Sequence, residues 1–332
     1  MRVIDNYSLA EWNTFGLEAK ARKFCEYSTV EELKEILRLH KGEKFLHIGR
    51  GSNLLFINDF DGIVLHSAIG HIEVVEEQQD AVIVSVGAGV MFDKFVEYCV
   101  EHAWWGIENL SYIPGEVGAS AVQNIGAYGV EAKDVIYQVE TLHVGTQRKR
   151  IFTNAECKYA YRDSVFKNRL KGKYVVTSVR FRLHKQPCPK LAYGSINSYL
   201  PLNPSLADIR QVIINIRRQK LPEVNDLGSA GSFFKNPVVS KRLFYGLKRQ
   251  YPDIPYYDLS RGVKIPAAWL ISNAGLKGRT IGGAKVYEKQ PLVIVNTGAA
   301  TAHDIVALAC MIQAEVKRKF DIDLFPEVNY IS

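Results

Sequence analysis

Three stretches of the chain combine small residues with uncharged hydrogen-bond donors in patterns that suit a flat or anionic ligand. Gly49-Arg50-Gly51-Ser52-Asn53 stands between the apolar runs 45–48 and 54–57. Consecutive amides of such a glycine turn can form an anion-binding concavity, and Ser52 and Asn53 add side-chain donors. The same residues would equally make a plain hairpin turn. The second stretch runs from Ile113 through Pro114, Gly115, Gly118, Ala119 and Ser120 to Gln123, Asn124, Gly126, Ala127, Tyr128 and Gly129. Its glycine, alanine and serine let backbone approach a ligand closely, while Gln123 and Asn124 donate without adding charge. It reads as a binding segment. The third, Gly87-Ala88-Gly89 after the apolar run 82–86, imitates the first turn of a dinucleotide-binding unit. A third glycine belongs at the place of Phe92, and no strand–helix–strand rhythm follows, so a tight turn is the simpler reading.

These stretches need a scaffold, and composition says of what kind. The 332 residues suggest two or three domains, and 47% apolar with 23% charged residues excludes disordered and collagen-like chains. No apolar run nears the ~18 residues of a membrane helix, and no apolar core follows Arg2, so neither a membrane span nor a signal peptide is expected. Cys25, Cys99, Cys157, Cys188 and Cys310 are scattered without a CxxC pair. That speaks against a disulfide framework and a metal site, and for a reducing, cytoplasmic setting. The net charge of +7 suits nucleic acid, a membrane surface or small anionic ligands. Its basic clusters are short and carry no nucleic-acid-binding motif, so no such partner is expected.

Periodicity gives α+β with irregular order. Thr29 caps a helix ended by Gly42, with Val30, Leu33, Ile36 and Leu37 on one face. Strands are expected near 44–48, 54–57, 62–65, 72–76, 81–86, 134–144, 173–183 and 291–296. Helices are expected near 91–103, from Ser205, near 240–250 and 266–274, and from Thr301 to Phe320. The segments 105–131 and 221–239 lack a sustained period and read as irregular, functional regions.

Four groups of residues resemble a known family. They are 113–131 (IPGxVGxxxxQNIGAYGxE), 49–56 (GRGSNLLF), Tyr161-Arg162-Asp163-Ser164 with Phe166-Lys167, and 231–237 (GSFFKNP). Together with 268–271, 275–278, 281–284 and 324–328, they run in order along nearly the whole chain and are similar to the UDP-N-acetylenolpyruvoylglucosamine reductase family. Ala121 departs from the proline common there, a change of stiffness rather than chemistry. The resemblance implies an FAD-binding domain of the vanillyl-alcohol-oxidase (PCMH) type in two lobes plus a C-terminal substrate-binding α+β domain. The lobes would be 1–70 with 320–332, and 71–220; residues 221–319 would cover the substrate. The segment about 187–204, around Tyr193 and Gly194, resembles the longer form of the family with a tyrosine loop.

The implied reaction belongs to peptidoglycan precursor synthesis. Hydride passes from NADPH to non-covalently held FAD and then to the methylene carbon of the enolpyruvyl group of a UDP-sugar. Charge then builds into the adjacent carboxylate, which calls for a cation, donors and one proton. By resemblance Arg162 is the cation, although an ion pair with Asp163 is the ordinary role of such an arginine. Ser232 delivers the proton; a serine after glycine is otherwise a turn residue. Glu327, by default a tail residue, would be protonated or held by Arg162 or Lys235 to sit beside the enolate. Flavin falls to the 49–53 and 114–128 residues named above. Tyr161, Tyr193, Lys220, Lys235, Asn236 and Gln290 fall to the substrate, although Lys220 also suits the C-terminal end of a helix. FAD, NADPH and the UDP-sugar would account for the basic charge. A monomer is expected. Two other functions fit the glycine loops: a flavin oxidase of the same fold, and a non-catalytic nucleotide-binding protein.

Overall fold

The computed structural model describes residues 1–193, 196–223 and 226–332. Gly194 of the tyrosine loop lies outside them. The chain forms two compact units, one of residues 1–7, 21–50 and 61–217, the other of 8–20, 51–60 and 218–332.

The first unit holds two main sheets, besides the small antiparallel pair Gly126–Ala127 and Val130–Glu131. A four-stranded sheet has the order Arg2–Ser8, Lys20–Tyr27, Phe60–Ser67, Phe45–Ile48. Its last pair is parallel, with Ile48 opposite His66, so the chain leaves the sheet at Gly49 beside that histidine. The helix Val30–Leu39 packs Leu33 and Ile36 against Tyr27, Ile63 and Leu65. It starts as expected, with Thr29 Oγ1 accepting the Glu32 amide at 3.1 Å. A five-stranded antiparallel sheet has the order Lys149–Thr153, Ile136–His143, Tyr174–His184, Ala81–Gly87, Ile72–Glu77. The helix Phe92–Glu101 buries Phe92 and Phe95 against Phe181.

Segment 105–131 is not irregular throughout. It contains the helix Val117–Gln123, in which Gly118, Ser120 and Ala121 are buried. With so few large side chains the hydrophobic period is invisible in the sequence, yet the helix gains close approach. A Cβ on Gly118 would stand 2.8 Å from that of Ala88. The Gly87–Gly89 turn is packed as closely: Cβ atoms there would meet the carbonyl oxygens of Ile69 and Ser67 at 2.3 and 2.1 Å. It is a turn pressed on backbone, as the missing third glycine suggested.

The second unit also has two main sheets. One has the order Gly228–Ser232, Val293–Asn296, Ala284–Val286, Thr280–Ile281; the other has Val238–Val239, Gly262–Lys264, Tyr257–Leu259. The strand Gly228–Ser232 lies inside the region expected to be irregular, since its sequence GSAGS has no apolar alternation. The helix Ala302–Phe320 opens on a capping box between Thr301 and Asp304 and buries Ile305, Leu308 and Ile312 with Phe233, Phe234 and Phe244. The strand Asn329–Ile331 runs parallel to Leu54–Phe56.

Gly118→Ala tests the close contact of the Val117–Gln123 helix. The added methyl should overpack Ala88, whose backbone cannot yield cheaply, and cost about 1–3 kcal/mol. Equilibrium denaturant unfolding measures it; an unchanged midpoint would show the helix free to move.

Candidate active site

In the first unit the loop after Ile48 turns at Gly49, where a Cβ would stand 3.0 Å from Glu116 Oε2. The 49–50 turn and the 114–120 segment are therefore neighbours. Gly115 has φ +112°, a conformation that favours glycine. Pro114 and Ala119 are exposed, whereas Ser120 is buried and donates from Oγ to the Val117 carbonyl at 2.7 Å. Asn124 adopts the left-handed conformation at the end of the helix, φ 49°. Its amide nitrogen is shared between Glu131 and the Ala160 carbonyl, at 3.0 and 2.8 Å. Gln123 Oε1 accepts Lys167 Nζ at 2.6 Å.

Arg162 sits in the left-handed region at φ 55°, an unfavourable backbone for a long side chain and a feature often retained at functional sites. Its Nη2 donates to the Gly126 carbonyl at 2.6 Å, and its guanidinium carbon lies 5.2 Å from the Tyr161 ring centroid. A Cβ on Gly126 would meet Nη1 at 2.9 Å. Asp163 meanwhile accepts from Asn168 Nδ2 at 2.8 and 2.9 Å and from the Ser164 amide at 2.9 Å. The Tyr128 and Tyr193 rings meet edge-on, 6.4 Å apart, and the absent Cβ of Gly129 would lie 3.1 Å from that of Tyr193. The structure thus gathers Gly49, the 114–128 segment, Tyr161, Arg162 and Tyr193 in one unit.

Gly51, Ser52 and Asn53 belong to the second unit. Gly51 (φ +65°) could carry no side chain, since a Cβ would lie 1.9 Å from the Trp12 carbonyl oxygen. Asn53 Nδ2 donates to the Glu327 carbonyl at 3.2 Å, and the Asn329 amide donates to the Asn53 carbonyl at 3.0 Å. Glu327 in turn donates its amide to the Phe233 carbonyl at 2.8 Å, and Lys235 donates its own to the Phe325 carbonyl at 2.9 Å. Ser232, Lys235, Asn53 and Glu327 are thereby tied to one backbone ladder. Asn236 spends its Oδ1 on the Ala267 amide at 2.9 Å, at the start of the helix Ala267–Asn273. Gln290 closes the turn before the strand Val293–Asn296, whose Val293 lies opposite Ser232. Lys220 is the exposed last residue of the helix Leu206–Lys220.

Several residues that sequence reasoning passed over hold this first-unit site. Arg217 Nε donates to the Tyr112 carbonyl at 2.9 Å and its guanidinium faces the Tyr128 hydroxyl. Burial lowers the arginine's pKa and raises the tyrosine's. Asn109, buried, donates to the carbonyls of Tyr128 and Lys190 at 2.9 and 2.7 Å. Glu108 and Glu116 are buried acids. Proximity in sequence to the glycine segment could have drawn attention to Glu108, Asn109 and Glu116, whereas Arg217 lies far along the chain and carries no such signal.

The donor set fits FAD. It offers glycine turns that no Cβ may occupy, with serine and amide side chains around them. Glu116, the sole acidic residue of 113–129, is paired with His66 at 2.9 Å. Among the described residues no group of three or more His, Cys, Asp or Glu is placed to hold a metal ion, and no helix is long and apolar enough to cross a membrane.

Comparison with known proteins decides the family. A sequence profile of the FAD binding domain matches residues 21–146, and one of the UDP-N-acetylenolpyruvoylglucosamine reductase C-terminal domain matches 222–331. The UDP-N-acetylenolpyruvoylglucosamine reductase of Bacteroides fragilis (strain YCH46) is 49% identical over 98% of this chain and 99% of its own. That of Porphyromonas gingivalis (strain ATCC 33277) is 44% identical over the full length of both. The chain belongs to the UDP-N-acetylenolpyruvoylglucosamine reductase family. The crystal structure of the enzyme from Thermus caldophilus, 24% identical, covers both chains fully with a TM-score of 0.72, and so shares the fold. The expected class, an FAD-dependent oxidoreductase with a flavin-binding domain and mixed α and β content, is borne out. Residues 49–53 and 114–128 fall within the flavin-domain match.

Glu108 gives this site a pH signature. Burial raises its pKa, against the Gly106 amide that its carboxylate accepts at 2.7 Å. A carboxyl raised above its unfolded value contributes stability at low pH that is lost as pH rises through the raised value. Glu108→Gln should therefore gain in thermal midpoint relative to the parent between pH 5 and pH 8. A constant difference across that range would contradict it.

Proposed function

We propose that this chain reduces the enolpyruvyl group of UDP-N-acetylglucosamine enolpyruvate, with NADPH as reductant and with Ser232, Arg162 and Glu327 as the catalytic residues. FAD, held by residues 49–53 and 114–128, would supply the hydride chemistry that links NADPH to the methylene carbon. What remains is the work of the protein's own side chains. Arg162 presents a planar cation to the substrate carboxylate and opposes the charge that builds there. Ser232 gives its hydroxyl proton to the neighbouring carbon, and Lys235, three residues on, counters the alkoxide left behind. Glu327 donates a hydrogen bond to the enolic carboxylate in its protonated form.

The observation that carries this reading is the backbone ladder of the second unit, which sets Glu327 against Phe233, next to Ser232, although almost a hundred residues separate them. A second support is the left-handed backbone of Arg162, whose guanidinium lies along the Gly126 carbonyl. Tyr161, Tyr193, Lys220, Lys235, Asn236 and Gln290 are assigned to the UDP-sugar, and residues 1–70 with 320–332, 71–220 and 221–319 to the two flavin lobes and the substrate region. We further propose a cytoplasmic monomer without a nucleic-acid partner. The oxidase alternative is set aside because the flavin-domain match is joined to the reductase C-terminal match. The non-catalytic alternative does not call for the serine, arginine and glutamate together.

Ser232→Ala should leave anaerobic reduction of the flavin by NADPH within about twofold, while turnover with the UDP-sugar falls by about 10²–10⁴, the range of general-acid catalysis. Equal loss in both half-reactions would refute the proton role. Glu327→Gln should retain more kcat than Glu327→Ala; equal loss would refute the protonated form. Parallel double-reciprocal lines are expected for NADPH and the UDP-sugar, because both meet the flavin in turn.

A further inference from the structure

Glu116 is an anomaly. It is the one acidic side chain of a segment assigned to an anionic cofactor, and it is 4% exposed. One carboxylate oxygen, Oε2, faces the space that a Cβ at Gly49 would fill, 3.0 Å away. The other, Oε1, lies 2.9 Å from His66 Nε2, and His66 Nδ1 lies 3.0 Å from Glu26 Oε2. The imidazole is thus held between two carboxyl groups.

Each of these contacts needs one hydrogen, because a carboxylate oxygen and a bare ring nitrogen repel. A neutral imidazole carries one N–H. The Glu26–His66–Glu116 clamp must therefore share two protons, either as imidazolium between two carboxylates or as neutral imidazole with one carboxylic acid. Both arrangements carry one net negative charge. Loss of one proton leaves two negative charges and breaks one contact.

His66 and Glu116 are buried, whereas the Glu26 side chain is 27% exposed. The Phe24 ring lies over His66, centroids 6.4 Å apart. Behind it His47 is neutral, its pKa brought down to about 3 by burial and then by His66, and its Nε2 is 2.7 Å from the Tyr27 hydroxyl. Burial pushes Tyr27 above the ordinary range and raises Glu116, the latter opposed by His66 and Arg50. Among the described residues, the titratable groups placed against the clamp include His47, Tyr27 and Arg50. Of these, neither His47 nor Tyr27 changes charge between pH 6 and 9.

We propose that His66 is a positioning residue for the flavin: with Glu26 it binds Glu116, seats the 114–120 segment on Gly49 and shields the cofactor's diphosphate from a bare carboxylate. The proposal rests on the assignment of 49–53 and 114–128 to FAD. Linkage fixes its sign. An anionic cofactor favours the clamp with both protons, so FAD affinity is highest at low pH and falls as one proton leaves. Each unit by which bound FAD raises the clamp's proton affinity appears as a tenfold fall in FAD affinity across the transition.

The test is FAD binding rather than turnover. Protein stripped of FAD is titrated with it from pH 6 to 9, following flavin fluorescence, while circular dichroism of each stripped protein confirms folding. The parent Kd should rise at least threefold over that range. Glu116→Gln, nearly isosteric and without the charge, should flatten the slope and bind at pH 9 at least as tightly as the parent. His66→Leu should leave Glu116 without its partner and raise the Kd about tenfold at pH 7. Where His66→Leu does not fold, the Glu116→Gln slope decides alone. A Glu116→Gln slope equal to that of the parent overturns the proposal, as does equal weakening in both variants, which is the mark of packing alone. A parent that takes up no FAD at any pH overturns the flavin assignment and the proposal with it.

Discussion

The second unit depends on one backbone exchange. Phe233 accepts the Glu327 amide, Lys235 donates to Phe325, and Phe234 bridges Pro326. These are obligatory groups that need partners once the two phenylalanines carry the segment inside, where they are 0 and 1% exposed. Burial of each ring is worth about 1.5–3 kcal/mol, so the segment is held by packing and only registered by hydrogen bonds. Registration is what the chemistry needs. The same ladder continues to Asn53 through Glu327 and Asn329, and to Leu54–Phe56 through the last strand. A loop from the first sixth of the chain, a serine from its last third and a glutamate near its end thereby share one frame.

The first unit obeys a different constraint, the absence of side chains. Gly118 on Ala88, Gly49 on Glu116 and Gly126 on Arg162 are contacts at 2.8–3.0 Å from a notional Cβ. Each lets an element settle closer than alanine would permit. Polar side chains then lock what the glycines allow: Lys167 on Gln123, Asn124 on the Ala160 carbonyl, Asn109 on that of Tyr128. Such a site is stiff without being apolar, which suits a cofactor bearing both a flat ring system and a charged tail.

This division explains what could be read in advance. Caps are local, so Thr29, Ser205 and Thr301 announce their helices; the Asp208 amide does lie 3.2 Å from Ser205 Oγ. Large apolar residues at a fixed period announce Phe92–Glu101 and Ala302–Phe320 equally well. The Val117–Gln123 helix and the Gly228–Ser232 strand are silent because their residues are small, and both carry candidate site residues. The motifs named the family and its loops without any geometry. They could not show that Arg162 has a left-handed backbone, or that Asn236 uses its carbonyl oxygen to start a helix. Nor does anything local join His66 to Glu116, since the parallel register of Ile48 with His66 is what brings that ring to Gly49.

Charge is the remaining thread. Part of the positive charge stands at the glycine-rich segment, where Lys167 is held by Gln123 and Arg162 by the Gly126 carbonyl. Arg210 is spent on Asp93, with contacts at 2.6 and 3.0 Å, and Arg217 on the Tyr112 carbonyl. The 113–129 segment itself carries mostly small and neutral side chains, with Ser120, Gln123 and Asn124 as its hydroxyl and carboxamides, and fixed dipoles of this kind need not reorganise as charge appears. In such a setting one unscreened carboxylate would outweigh several neutral donors, because a full charge acts over a longer range than a dipole. Glu116 is the acid of the glycine-rich segment, and another element carries its counter-group to it, the sheet strand bearing His66.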